Sequence, residues 1–244
     1  MAAIARACAP SGVVRGGMYP RGKNVQRLHG NRSHRLLIIS STVSEDDRAR
    51  AKERLLSLCA SLPGVGVYAS DEQRQAAVAA AEALEKYDSP FDKPASTDAV
   101  NGALDGTWAL EFTTTKESSA GKIGPFLGTV TQEVKVSEDL YTNNVRFGPL
   151  SLTLGANWNV LDDQNWRVNF VDIVVKLFGL ELKRIAFPPE RGGFWRMTYT
   201  DNDLRVLWTL PGESGQFDKD GKKGSIDGRQ ASVFVLKKIE TIHV

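Results

Sequence analysis

The sequence predicts an all-β domain of antiparallel strands, closed into a barrel or folded as a sandwich, with two α-helices in front. Three observations carry that prediction. Near Leu104 the spacing of apolar residues changes from about four to two. The alternating segments are short, and clusters of Asn, Asp and Gly separate them. About eight or nine such segments occur, and about eight strands enclose an interior that side chains can fill or one small ligand can occupy.

The first helix is read over residues 44–62. Ser44 stands at its start, Glu45, Asp46 and Asp47 load the first turn with negative charge, and Leu55, Leu58, Cys59 and Leu62 form one apolar stripe before Pro63-Gly64 ends it. The second helix is read over residues 71–87, capped by Ser70 and rich in Ala between Gln75 and Leu84. Pro90 and Pro94 mark the following segment as a linker. Residues 44–90 are thus a helical prelude, and residues 100–240 the main domain.

In that domain Trp108, Leu110 and Phe112 alternate with polar or small residues. Val130, Val134 and Val136 share a phase, with Gln132 between them. Leu150 to Leu154, Trp166 to Phe170, Trp195 to Tyr199, Leu204 to Trp208 and Val233 to Leu236 complete the set. Thr142-Asn143-Asn144, Asp162 to Asn165, Gly192-Gly193 and Asp201-Asn202-Asp203 read as turns.

The 244-residue chain opens with a different composition. Its first 44 residues hold seven basic side chains (Arg6, Arg15, Arg21, Lys23, Arg27, Arg32 and Arg35) and no acidic one. Arg-rich, acid-free and rich in small residues, residues 1–40 read as an organelle transit peptide. The whole chain has 31 basic and 29 acidic residues; without those seven, 24 basic residues face 29 acidic ones, a net charge near −5. A mildly acidic domain lacks the basic face that nucleic acid requires. No stretch approaches the roughly 18 apolar residues of a membrane span.

Few residues could carry chemistry. The histidines are His29, His34 and His243, so the domain offers no Ser-His-Asp or Cys-His arrangement. With Cys8 in the leader, Cys59 has no partner and reads as a small buried apolar residue. The pairs Asp162-Asp163, Asp201 with Asp203, and Asp218 with Asp220 lie in expected turns, and the lysines around Asp218-Lys219-Asp220-Gly221 speak against a calcium loop. No enzyme, cofactor or metal site is expected. The aromatic positions Trp108, Phe112, Trp166, Phe170, Trp195 and Tyr199 are expected on or near an inner face, where they would bind an apolar ligand.

Gly106-Thr107-Trp108 resembles the opening signature of lipocalin-like barrels. That resemblance implies a closing Trp with an Arg packed across its ring, for which Arg205 is the candidate. A longer series of blocks resembles the plastid lipid-associated proteins, or plastid fibrillins. The blocks are Leu104 to Thr114, Gly124 to Gln132, Gly193 to Tyr199 with Asp203 to Val206, and Val233 to Leu236. They cover about residues 50–238. The resemblance implies a lipocalin-like barrel in a chloroplast protein that binds hydrophobic molecules (prenylquinone, carotenoid or fatty acyl class) at plastoglobule or thylakoid surfaces. A filled barrel acting as a scaffold for a plastid enzyme or photosynthetic complex is the alternative. Apolar residues from Val171 to Leu180 are the expected site of peripheral membrane contact. The chain departs from the family's pattern in an insert of roughly residues 211–230, and in Trp208 where a second basic residue is common.

Overall fold

The computed structural model describes residues 33–87, 89–90, 98–189, 191–211, 225–226 and 229–239. The transit-peptide reading, most of the proline linker and most of the 211–230 insert, with Asp218 and Asp220, lie outside the described residues. The chain divides into two units, Met1–Ser40 and Ser41–Val244, and the β-domain belongs to the second.

Helix α1 spans Ser33–Ser61. It begins eleven residues before Ser44, so that serine is not its cap. Neither Gly nor Pro occurs between 33 and 61, and extending a helix costs less than nucleating one. Helix α2, Asp71–Leu84, starts at Ser70 with a capping box: the Gln73 N–H donates to Ser70 Oγ at 3.2 Å and the Ser70 N–H donates to Gln73 Oε1 at 2.9 Å. A short helix, α3, Asp98–Leu104, leads into the sheet.

Nine strands form the main sheet: β1 Gly106–Thr113, β2 Thr129–Lys135, β3 Leu140–Phe147, β4 Leu150–Val160, β5 Asn165–Leu177, β6 Leu180–Ala186, β7 Gly192–Thr200, β8 Leu204–Pro211 and β9 Ser232–Ile239. Every pairing is antiparallel, in the order β4-β3-β2-β1-β9-β8-β7-β5-β6, and β4 also pairs with β5. That extra pairing closes eight strands into a barrel and leaves β6 outside the ring. The fold is therefore all-β and lipocalin-like, with helices before the barrel.

Closure is complete only toward the end where β1 begins. There β1 pairs with β2 from Gly106 to Ala109, and β5 pairs with β7 from Asn165 to Asn169. Toward the other end β1 and β2 diverge, and β5 leaves β7 to pair with β6 from Asp172 to Leu177. Strands β3 to β6 thus run on past the ring as an apron. Its tip is the turn Phe178-Gly179, where both residues have positive φ, 50° and 81°.

Two apolar clusters stabilise the domain. One fills the barrel, around Trp108, Val134, Tyr141, Trp158, Trp166, Trp195, Met197 and Phe234. Trp158 and Trp166 stack with ring centroids 4.7 Å apart. The second lies on the outer face of β8 and β9, where Leu55, Cys59 and Leu62 of the α1 region and Ala77, Ala81 and Leu84 of α2 cover Val206, Trp208, Val233 and Val235. Trp208 Nε1–H and the Thr198 hydroxyl both donate to Glu85 Oε1 at 2.6 Å, which fastens the end of α2 to the barrel wall. Cys59 is buried in this cluster; burial, followed by the charge of Glu111, pushes its thiol up to about 12, so it stays protonated at neutral pH.

Three sequence readings are corrected. Thr142-Asn143-Asn144 is not a turn but lies within β3. Its polar side chains pair across and along the strand: the Thr153 hydroxyl of β4 donates to Asn144 Oδ1 at 2.7 Å, and Asn144 Nδ2 donates to Thr142 Oγ1 on the same strand at 3.2 Å. Gly192-Gly193 opens β7 instead of turning. A Cβ at Gly192 would stand 2.0 Å from the Val168 carbonyl oxygen, so the close approach of β5 requires glycine there. Phe112 and Tyr199 face the outer, helical cluster and not the lumen. The register slips by one between Leu110 and Phe112 in β1, and in β7 where Val206 and Leu207 of β8 face Tyr199 and Met197. Each bulge inverts the side-chain phase that follows it.

Candidate ligand-binding cavity

The barrel interior contains a cavity of about 680 Å³. Its walls come from β2 to β5 and from β7 to β9, and its mouth from residues 115–119, Phe187 and Arg191. Aliphatic and aromatic side chains dominate: Val145, Leu152, Leu154, Phe170, Ile173, Phe187, Trp195, Leu207, Leu210 and Phe234. Polar groups gather at the two ends, with residues 115–119 and Arg191 at the mouth. Gln132, Tyr141 and Asn143 are buried and line the inner end. Tyr141 meets the edge of Trp195 at a centroid distance of 4.6 Å. Burial pushes the Tyr141 hydroxyl pKa up, against the pull of the Arg205 charge, so it remains a neutral donor.

Below the cavity the barrel is plugged. Trp108 is fully buried, and its indole N–H donates to the Leu104 carbonyl at 2.9 Å. The Arg205 guanidinium carbon lies 4.9 Å from the Trp108 ring centroid, and Lys238 Nζ lies 5.4 Å from it while donating to the Ala103 carbonyl at 2.8 Å. Arg205 starts on β8 and reaches across the lumen to β2, where its Nη2–H donates to Gln132 Oε1 at 2.7 Å. Burial pulls its pKa down to about 10, so it stays cationic at neutral pH.

The sequence-predicted residues therefore fall into three places. Phe170 and Trp195 line the cavity. Trp108, Trp166 and Arg205 lie in the barrel core beneath or beside it. Phe112 and Tyr199 are outside, against the helices. The sequence reading missed Gln132, Tyr141 and Asn143. One signal was available: Gln132 occupies the same phase as Val130 and Val134, a polar residue among inward apolar ones.

From the cavity outward, the inner face of the apron continues the wall, apolar apart from Lys183, which stands opposite Val175. Cross-strand partners share a face, so Leu150, Leu177 and Leu180 form one rung. Leu154, Ile173 and Ile185 form another. At the tip Phe178 is 79% exposed and Leu180 72%. On the outer face Arg184 pairs with Asp172 and Glu181.

Among the described residues there is no group of three metal-ligating side chains, and no helix is long and apolar enough to cross a membrane.

A small barrel with an apolar cavity, a plugged base and an apolar lip has the architecture of a lipid-associated protein. The chain belongs to the PAP_fibrillin family, whose model matches residues 49–208, and so to the plastid lipid-associated proteins. No curated protein and no solved structure matches it.

Proposed function

We propose that this chain is a non-enzymatic carrier of hydrophobic molecules of the prenylquinone, carotenoid or fatty acyl class, held in the barrel at a chloroplast lipid surface, plastoglobule or thylakoid. The single observation behind this reading is the cavity. Its 680 Å³ lies within the roughly 300–1,000 Å³ of small-molecule sites. Transfer of apolar surface from water into it contributes about 25 cal/mol per Å². Phe170 and Trp195 are the sequence-predicted residues in position to touch the ligand. Trp108, Trp166 and Arg205 support the walls and base.

The test is to purify the domain, extract it with organic solvent and analyse the extract, then titrate it with a prenylquinone while following Trp fluorescence. Quenching should fall sharply in Trp195→Phe. Replacing Leu152 and Leu154 by Trp fills the cavity and should weaken binding at least tenfold with little change in melting temperature. An empty extract, no quenching and indifference to cavity filling would instead favour the scaffold, with the barrel's surface or the 211–230 insert holding a protein partner.

The apron supports peripheral attachment. Phe178 and Leu180 stand exposed at its tip, and Lys176 and Lys183 lie on the flanking strands, suited to anionic headgroups. Phe178→Glu with Leu180→Glu should lower partitioning onto vesicles of neutral lipid doped with phosphatidylglycerol at least tenfold. Circular dichroism should not change, because neither side chain belongs to the core. Partitioning equal to that of the parent chain would remove the apron from the reading.

A further inference from the structure

The buried guanidinium of Arg205 is the most unusual charge in the molecule. It is 0% exposed. Only its Nη2 has a hydrogen-bond partner, Gln132 Oε1; Nε and Nη1 have none. No carboxylate pairs with it among the described residues. The neighbouring Lys238 adds a second positive charge on the Trp108 ring. Burying a cation and leaving two of its donor nitrogens without acceptors is costly, and among the described residues the Trp108 face and the Gln132 oxygen are what offset it.

The bond from Arg205 also orients Gln132. With Oε1 committed to the guanidinium, the Gln132 amide presents its NH₂ elsewhere, and Gln132 lines the cavity. The Tyr141 hydroxyl stays a donor. Asn143, also on the lining, has a buried Oδ1 with no partner. The other end of the same amide is an NH₂ donor. Beneath the aliphatic and aromatic walls, the inner end of the cavity is thus set with donors inside a positive field.

We propose that this inner end binds the carboxylate of a long-chain apolar acid, which enters head first, its chain running along Leu152, Leu154 and Phe170 toward the mouth. The carboxylate accepts from Gln132, Tyr141 and Asn143, and the charge of Arg205 favours it over a neutral headgroup. This inference rests on the reading of the barrel as a lipid-binding cavity.

Oleic acid and methyl oleate, titrated against the full chain, separate the two claims. The acid should bind at least tenfold more tightly than its ester at pH 8. That preference, read as the ratio of acid to ester affinity within each variant, should vanish in Arg205→Met and fall in Asn143→Leu. Asn143→Leu exchanges a polar side chain for an apolar one of similar size, and its melting temperature, measured beside the titration, shows that the loss of preference is not a loss of fold. With oleic acid labelled at the carboxyl carbon, NMR should show the bound acid titrating at lower pH than the same acid in vesicles. Equal affinity for acid and ester would overturn the carboxylate site and leave the lipid carrier standing. Binding of neither would overturn both.

Discussion

Trp108→Ala should cost about 3–5 kcal/mol, the range for deleting a fully buried aromatic side chain. That is a large fraction of the ~5–15 kcal/mol that holds a typical domain folded. The ring does more than fill space. Its N–H satisfies the Leu104 carbonyl at the end of α3, and its face receives Arg205 and Lys238. Removing it leaves two cations facing a void and frees the end of α3. Denaturant unfolding measures the loss as a fall in midpoint with unchanged slope. Trp108→Phe should cost much less, because it keeps the aromatic face and loses the indole hydrogen bond. A Trp108→Ala variant within about 1 kcal/mol of the parent would show that the base does not depend on this ring.

The second large effect is expected at Asp201, in the turn between β7 and β8. Its Oδ1 accepts from the N–H groups of Asp203 and Leu204 at 3.0 and 2.7 Å. Its Oδ2 accepts from the Tyr199 hydroxyl at 2.9 Å and from Lys52 of α1 at 2.7 Å, and Lys52 also pairs with Asp203. This carboxylate ties the turn to itself, to the outward-facing Tyr199 and to α1. Asp201→Ala should cost about 2–4 kcal/mol, between the values for a charge-assisted hydrogen bond and a broken buried pair. Asp201→Asn keeps the oxygen that accepts from the turn and should cost less.

The same group should make the domain acid-sensitive. Burial raises its pKa, but hydrogen bonds from Lys52 and from Asp203 outweigh burial and hold it below the usual carboxylate value. The folded chain thus keeps a carboxylate at pH values where the unfolded chain, with a pKa of about 3.9, has taken up a proton. The stabilisation is complete above that unfolded value and is lost as pH falls through the lower folded one. Melting temperature followed from pH 6 downward should decline over this acid range in the parent chain. The part of the decline due to Asp201 should be missing in Asp201→Asn. Identical acid profiles for the two chains would refute the assignment.

Period-two alternation in the sequence exposed most strands, because one face of each meets a core. It placed Trp108, Leu110, Trp166, Phe170, Trp195 and Met197 on their common inner phase. It failed at Phe112 and Tyr199 because a bulge is a backbone event with no side-chain signature; the residues on either side look like an unbroken ribbon. On β8 alternation says less. Both faces there are buried, Leu204, Val206 and Trp208 under the helices and Leu207 in the lumen, so apolar character does not tell inside from outside. Strand β6 escaped notice although Leu180 and Leu182 alternate with Glu181 and Lys183; Val171 to Leu180 reads as one apolar run, and all seven residues of the strand are exposed, so its alternation marks no core. The polar inner end of the cavity is built from single residues on neighbouring strands, Gln132 on β2 and Tyr141 and Asn143 on β3. Only the pairing register shows that they meet, and that register is a long-range fact.

The order of strands around the ring has a further consequence for how the molecule is made. The seam that shuts the barrel joins β1 to β9, the first strand of the ring to the last. While the ribosome is still delivering residues before Ser232, β1 and β8 are both open edges with no strand between them. The barrel therefore completes only when β9 has emerged, and contacts this distant in sequence form slowly. A nascent chain kept open in this way remains threadable until Ser232–Ile239 arrive, a useful state for any polypeptide that must pass through a narrow pore before it folds.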